Sequence, residues 1–321
     1  FVIYPQSRIK HAEEKAAFAA GHDLALYPTV AADREDICTD VIDVTSYVKD
    51  GILEWKAPAG DWTIYRFGAS LTGKKNHPAS AEATGLEVDK INPAAWKRYF
   101  RNYLDMYKDA SGGLLGDRGI QYLLTDSYEA GHINWSPLLF EEFQNRRGYS
   151  PLPFLPVITG VIVESVEKSE KFLLDWRKTI GELFEENYAH LTDIVRDEYG
   201  MKGCFIESHE NGRCFVADGM SIKKTASYPM SAIWVPGKVG TPDRIPEGKA
   251  DIRESASVAH IYGQNVVAAE SLTSIGYAQQ AYTYCPENLK PTVDIELAHG
   301  LNKFVIHESA HQPLDSHKPG L

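Results

Sequence analysis

The sequence predicts an α/β fold of the (β/α)8 TIM barrel type, truncated after about six strands and preceded by a short β-rich segment. Strand-like apolar segments alternate with helical ones, which indicates parallel strands joined by helices. Most of these strands end in acidic, histidine and aromatic residues, and a barrel places its active site at the carboxyl ends of its strands. A doubly wound sheet is disfavoured because the chain has no GxGxxG motif and no phosphate-binding loop.

Composition excludes several kinds of partner. The 321 residues suit a barrel with additional segments. A formal net charge of −11 disfavours nucleic acid and anionic membranes, because both require basic patches. No run of about 18 apolar residues is present, so no membrane span is predicted. The four cysteines form no CxxC pair; Cys204 and Cys214 are near enough in sequence to bridge, but free thiols are favoured.

We place a domain boundary near residue 60. Residues 1–60 contain short alternating patterns and polar turns, as expected at the end of a β-domain, and residues 61–321 form the partial catalytic barrel. The chain begins without Met and ends without a closing helix, so both ends are expected to be cuts through a longer polypeptide. The missing remainder of that polypeptide would supply the last two strands.

Six strands are predicted in the barrel: residues 62–67, 120–124, 203–206, 228–234, 265–269 and 303–306. The first barrel helix begins where Asn92 supplies a cap and Pro93 occupies the first turn. The longest helical pattern covers residues 168–199 and would be about 48 Å long if continuous. Since that exceeds a barrel helix, we expect a break or kink near Gly181, or two helices.

Four of the predicted strands end in carboxylate-rich motifs. They are TDSYE at 125–129, ESHE at 207–210, ESLT at 270–273 and HESAH at 307–311. A partly desolvated carboxylate is unfavourable by several kcal/mol unless it is paired, protonated or bound to a metal. Any one of these acids can be explained as a helix cap or an ion-pair partner. Four acidic strand ends on one face favour a functional site.

Paired carboxylates at such a site suit glycoside hydrolysis. One carboxylic acid protonates the leaving oxygen, and a second carboxylate activates water or attacks the sugar. A separation of about 5 Å gives retention of configuration, and about 6.5–9.5 Å gives inversion. His209, His307 and His311 admit two interpretations, metal ligands or hydrogen-bonding groups for sugar hydroxyls, and the absence of an HExxH helix favours the second. Trp234 is either a stacking platform or a core residue.

The ordered set of motifs resembles glycoside hydrolase family 106, the α-L-rhamnosidases. The motifs are GDWTIYRFG at 60–68, TG at 72–73, NHPA at 76–79, GLEVDK at 85–90, DSYE at 126–129, RRGY at 146–149, SVAHIYG at 257–263, AESLT at 269–273 and IHESAHQP at 306–313. The resemblance implies a barrel, hydrolysis with inversion, terminal α-L-rhamnose as the sugar released, and a calcium ion that helps to hold it. Glu129 matches the general acid and Glu270 the general base.

Further site residues follow from the strand ends and this resemblance. The residues expected to bind substrate are Asp126, Tyr128, Glu207, His209, Glu210, Trp234, His307 and His311. The oxygens of Glu207, Glu210 and Asp126 are candidate calcium ligands, without an assignment. The substrate class leads us to expect a periplasmic or secreted protein.

One position departs from the family pattern. Ala232 stands in the Pro-Met segment where a carboxylate is usual, which removes one acidic contact at the sugar or the metal. Two alternatives to an α-L-rhamnosidase therefore stay open: a barrel glycosidase acting on another deoxy-sugar or a uronic acid, and a non-catalytic carbohydrate-binding relative.

Overall fold

The computed structural model describes residues 8–18, 31, 36–77, 79–210, 216–235, 245–273 and 284–307. The chain forms two compact units. One contains residues 1–92 and 130–183, and the other contains residues 93–129 and 184–321. The predicted boundary near residue 60 stays a prediction.

Nine strands and seven α-helices lie within the described residues. The strands are β1 Ile37–Cys38, β2 Val48–Lys49, β3 Ile52–Leu53, β4 Tyr122–Thr125, β5 Ile162–Val163, β6 Gly203–Ile206, β7 Tyr228–Trp234, β8 Ala268–Thr273 and β9 Lys303–Ile306. The helices are α1 Ala12–Lys15, α2 Pro93–Ala110, α3 Leu139–Arg147, α4 Val166–Asp193, α5 Gly219–Lys223, α6 Ile245–Tyr262 and α7 Pro286–Ala298. None of the described helices is long and apolar enough to cross a membrane.

The unit that contains residues 93–129 and 184–321 is built on a curled parallel sheet of half-barrel form. Its strand order is β4-β6-β7-β8-β9, and each adjacent pair runs parallel. Helices connect β6 through β9, as the alternating sequence pattern predicts. The carboxyl ends of all five strands therefore lie at one edge.

The two faces of this sheet are distinct. One face carries an apolar cluster of Phe205, Met230 and Ala268, against which Tyr122, Tyr228 and Val305 pack. The opposite face contributes Ile233 and Ala269 to a second cluster with Ile252 of α6 and Leu301. Because side chains alternate between faces, residues two positions beyond the first cluster continue on its face towards the carboxyl edge.

The other unit holds smaller elements. β1 and β5 form a parallel pair, and β2 and β3 form an antiparallel hairpin. Its core contains Phe143 of α3 with Phe172 and Trp176 of α4, whose rings lie 5.7–6.0 Å apart. These aromatic contacts fix α3 against the first half of α4.

The predicted strand at residues 62–67 is wrong. These residues have no regular secondary structure, and Ile64, Tyr65 and Phe67 are exposed. A strand requires the backbone of a neighbour, and no described segment pairs with this one. The β-branched and aromatic residues of this segment therefore favour an extended backbone but do not form a strand by themselves. Five of the six predicted barrel strands form the parallel sheet within the described residues.

The expected break near Gly181 is also wrong. α4 runs without interruption over 28 residues and continues into a π-helical turn at Ile194–Glu198. The helix is about 42 Å long at 1.5 Å per residue. Ile180 and Leu183 on either side of Gly181 are fully buried, so packing offsets the small helix preference of glycine. Cys38, Cys204 and Cys285 are free thiols, and Cys214 lies outside the described residues.

Candidate active site

Three carboxylates converge at the carboxyl edge of the parallel sheet. Asp126 follows β4, Glu207 follows β6, and Glu270 lies within β8. One ligand atom from each lies within 4.8 Å of the others. Each residue is two or four positions beyond a member of the cluster around Phe205, so alternation places all three on that face. We call Asp126, Glu207 and Glu270 the three-carboxylate cluster.

The strand between two of these acids carries a very small side chain. β7 separates β6 from β8, and Ala232 of β7 is the register partner of Glu270. Neighbouring strands are about 4.8 Å apart, so Glu207 and Glu270 must lean towards each other across β7. Ala232 is buried and extends only to Cβ, which leaves the space that this approach requires.

Glu207 is the most confined member of the cluster. Both of its carboxylate oxygens are buried without a hydrogen-bond partner in the described part of the chain. Burial raises the pKa of the Glu207 carboxyl well above its usual range. Asp126, Glu270 and Glu210 raise this pKa further, and Lys223 opposes them. Glu207 therefore holds its proton to higher pH than an ordinary glutamate.

The pKa of Glu270 is raised by some of its neighbours and lowered by others. Burial raises its pKa, and the charges of Asp126 and Glu210 act in the same direction. The Thr273 hydroxyl donates to Glu270 Oε1 over 2.7 Å and lowers the pKa, as does nearby His307. Thr273 follows Leu272, whose φ of 63° lies in the left-handed region. That local bend at the end of β8 accompanies the Thr273–Glu270 contact.

The Thr273–Glu270 hydrogen bond leads to a prediction about pH dependence. In Thr273→Val the donor is lost, so the pKa of Glu270 rises. If Glu270 must be ionised to act as a base, the acidic limb of kcat/KM against pH moves to higher pH. The rate then falls more at pH 5 than at pH 8 relative to the unaltered protein. Thr273→Ser keeps the donor and serves as the control, and equal profiles in both variants would contradict the role of this bond.

Glu129 lies on the loop that follows β4. It is exposed, does not belong to the three-carboxylate cluster, and accepts a hydrogen bond of 2.9 Å from Ser127 Oγ. The loop is fixed by the Tyr128 N–H, which donates to Ser208 O over 2.9 Å. The Tyr128 ring is buried edge-to-face on Phe184. Tyr128 therefore anchors the loop that carries Glu129, and its direct contact with sugar stays a prediction.

The end of β6 turns sharply beside the cluster. Ser208 has a φ of 70°, an unfavourable value for a residue with a Cβ. Such strain persists where surrounding contacts hold it, and it concentrates at functional sites. Here the contacts are the Tyr128 N–H to Ser208 O bond and the pairing of Ser208 Oγ with His209 Nδ1 at 3.2 Å. The His209 N–H closes this turn by donating to Glu207 O over 3.0 Å.

The remaining predicted site residues are distributed around this edge. Glu210 and His307 lie close enough to the cluster to alter the pKa of Glu270. Trp234 ends β7 opposite Thr273 and is partly buried. His311 lies outside the described residues. The binding roles of these residues stay predictions.

Sequence reasoning missed a charged pair near His209. Lys223 is fully buried, and its Nζ donates to Glu254 Oε1 over 2.8 Å. Burial lowers the pKa of His209, while the Glu254 charge raises it and Lys223 lowers it. Neither Lys223 nor Glu254 belongs to a strand-end motif, and lysine is rarely buried, so no sequence pattern indicates this pair.

The three-carboxylate cluster has the donor set of a hard cation. Calcium binds carboxylate oxygens at 2.3–2.6 Å, so two ligands on opposite sides of an ion are about 4.6–5.2 Å apart. The three ligand atoms lie within 4.8 Å of one another, close enough for one ion to contact all three. The unpartnered oxygens of Glu207 also require either a proton or a cation. Calcium therefore fits the residues present.

A curled parallel sheet with clustered carboxylates at its carboxyl edge is an arrangement typical of glycoside hydrolases. The family model for alpha-L-rhamnosidase, Glyco_hydro_106, matches residues 1–321, and the chain belongs to this family. The structure titled "Structure of Rhamnosidase from Novosphingobium sp. PP1Y" is similar, with a TM-score of 0.78 and 38% identity over 97% of this chain and 30% of that one.

A second relative carries a different name. A protein of Formosa agariphila, provisionally named beta-glucuronidase, is 36% identical over 293 residues, which is 88% of this chain and 23% of that protein. The chain thus spans less than a third of the length of both relatives.

Proposed function

We propose that this chain forms part of the catalytic barrel of an exo-acting α-L-rhamnosidase that hydrolyses its substrate with inversion. The observation that carries the proposal is the three-carboxylate cluster, placed at the strand edge where barrel enzymes bind substrate, with Glu129 on the adjoining loop. The half-barrel sheet is proposed to close into a (β/α)8 barrel in the whole protein, because open sheet edges favour further pairing.

Glu129 is proposed as the general acid. It is exposed at the edge of the site, where its proton can reach the glycosidic oxygen of a bound sugar. Its bond with Ser127 and the anchoring of Tyr128 on Ser208 and Phe184 restrict where the carboxyl group can lie. Restricting the position of a reacting group is a large part of its catalytic value.

Glu270 is proposed as the general base. Burial and the nearby carboxylates make it more basic than an ordinary glutamate, and the Thr273 hydrogen bond opposes part of that rise in its pKa. The base would take a proton from water as that water attacks the anomeric carbon. The acid gives its proton to the leaving oxygen in the same step, so one glycosidic bond breaks and one C–O bond forms.

Asp126 and Glu207 are proposed to hold calcium beside Glu270. When bound, the ion would supply positive charge that orients sugar hydroxyls and offsets the repulsion among the carboxylates. Ala232 adds no acidic ligand from β7, so the ion would depend on these residues and nearby Glu210. Rhamnose is proposed over glucuronate because the matching family model and the similar solved structure are both of rhamnosidases.

The direct test uses the protein expressed from its natural gene. Aryl α-L-rhamnoside and aryl β-D-glucuronide with the same leaving group are compared at matched concentrations. Release of the aryl alcohol from the rhamnoside alone supports the proposal. Release from the glucuronide alone would show that the substrate is a uronic acid glycoside and not a rhamnoside. Binding of rhamnose without turnover would favour the non-catalytic alternative.

Removal of calcium supplies a prediction about Glu207. We expect a chelator to abolish activity reversibly, and Glu207→Gln to weaken calcium binding by roughly tenfold or more, because carboxylate charge tunes calcium affinity. Isothermal titration with calcium measures the change. Glu296→Gln is the control, because Glu296 of α7 is an equally buried glutamate outside the cluster. Equal calcium affinity in both variants would contradict Glu207 as a ligand.

A further inference from the structure

Gly219 lies in a narrow gap between two side chains of the site unit. A Cβ built on Gly219 would be 2.4 Å from Glu254 Oε1 and 2.7 Å from His209 Cε1. Its φ is not in the left-handed region, so the backbone would accept any residue. Close approach of Glu254 and His209 is therefore the reason that glycine is required here.

Glu254 is not free to move out of this gap. The Nζ of buried Lys223 donates to Glu254 Oε1 over 2.8 Å and to Ser255 Oγ over 3.2 Å. Ser255 Oγ in turn donates to Met230 O of β7 over 3.0 Å. A fully buried ammonium group requires such partners, so displacement of Glu254 would leave its charge uncompensated. The contact with Lys223 therefore holds the Glu254 carboxylate in place on one side of Gly219.

His209 forms the other side of the gap. Its backbone N–H donates to Glu207 O over 3.0 Å, and its Nδ1 pairs with Ser208 Oγ at 3.2 Å. The start of α5 is fixed by Asp218, whose Oδ1 accepts from the Met220 N–H over 3.1 Å. His209 is thus confined between a strained turn and the first residue of α5.

We propose that Gly219, Lys223 and Glu254 are positioning residues that hold the His209 imidazole beside the three-carboxylate cluster, where it contacts a hydroxyl of the bound sugar. His209 is two residues from Glu207, and Lys223 acts electrostatically on both side chains. The inference rests on the proposed function in one respect, namely that the cluster binds sugar. The three positioning residues themselves do not touch the substrate.

A double-mutant cycle in the protein expressed from its natural gene tests this inference. Gly219→Ala and His209→Ala are each expected to lower kcat/KM by roughly 10–100-fold, since displacement of about 1 Å can have such effects. Most of the loss should appear in KM, because a hydrogen bond to a sugar hydroxyl already acts in the ground state. The combined variant should lose no more than His209→Ala alone, because both changes remove one contact.

The matched control is Gly248→Ala. A Cβ at Gly248 would be 2.6 Å from Ile233 Cγ1. Alanine would therefore be crowded to a similar degree at this position, but against the face of β7 that packs on α6. The fold-loss in kcat/KM caused by Gly248→Ala should multiply with the fold-loss caused by His209→Ala. The variant Lys223→Met/Glu254→Gln removes both charges of this ion pair together. Like Gly219→Ala, it should cause no further loss of kcat/KM when combined with His209→Ala. Multiplicative losses for Gly219→Ala would overturn the proposal.

Crystal structures of the two glycine variants separate this proposal from the proposed function. If the protein hydrolyses no α-L-rhamnoside, the proposed function fails, and the position of the His209 ring then decides the positioning role. A ring displaced in Gly219→Ala but not in Gly248→Ala supports the inference. An unmoved ring in a folded Gly219→Ala protein overturns it.

Discussion

Glu129→Gln is expected to lower kcat for an alkyl α-L-rhamnoside by about 10²–10⁴-fold, the usual contribution of a general acid. The amide matches the carboxyl group in shape but cannot give a proton to the leaving oxygen. The loss should shrink for a dinitrophenyl rhamnoside, whose leaving group departs without protonation. Steady-state kinetics with a series of leaving groups measures the effect. Glu129 is exposed, so the fold should be unaffected.

Ser127→Ala provides a matched control for this experiment. It removes the hydroxyl that donates to Glu129 Oε1 but leaves the acid in place. We expect a much smaller loss with the same dependence on the leaving group. If Glu129→Gln kept full activity on the alkyl glycoside, the general acid would have to be another residue.

Glu270→Gln is expected to lower kcat by a similar factor for every leaving group, because activation of water is needed in each case. The fold should tolerate the change, since a neutral side chain relieves repulsion with Asp126. Thermal unfolding should therefore show an unchanged or higher Tm in the presence of chelator. Circular dichroism and the leaving-group series measure the two expectations separately.

The two glutamate variants thus give different signatures. A loss for Glu270→Gln that vanished with dinitrophenyl rhamnoside would assign Glu270 to leaving-group protonation instead. A large loss of Tm would indicate that Glu270 is needed for structure, through its bond with Thr273. The first result would contradict its assignment as the base, and the second would give it a structural role and contradict the expected Tm.

The sequence predicted that carboxylates would gather at one edge of the sheet, because that placement follows from a general rule. Parallel strands joined by helices present their carboxyl ends at one edge, and the motifs after β4 and β6 and within β8 placed Asp126, Glu207 and Glu270 there. The same alternation predicted five strands of the sheet. Segment 62–67 has the same local preference but lacks a neighbouring backbone within the described residues, so the prediction was wrong there.

Contacts between segments that are distant along the chain could not be predicted from sequence patterns. The ion pair between buried Lys223 and partly buried Glu254 arises because α5 and α6 pack together, and no spacing rule brings residues 31 positions apart into contact. The gap at Gly219 and the space above Ala232 are also products of register and packing. Glycine and alanine have many structural uses, so their importance is visible only when the neighbours are known.

Proton NMR of the sugar first released from an aryl α-L-rhamnoside tests the central claim most directly. Glu129 as acid and Glu270 as base on a water molecule require attack from the face opposite the leaving group. We therefore predict that the β-anomer of L-rhamnose appears first and then equilibrates with the α-anomer. Initial release of the α-anomer would contradict the account, because it would require a carboxylate of this site to form a covalent bond with the sugar.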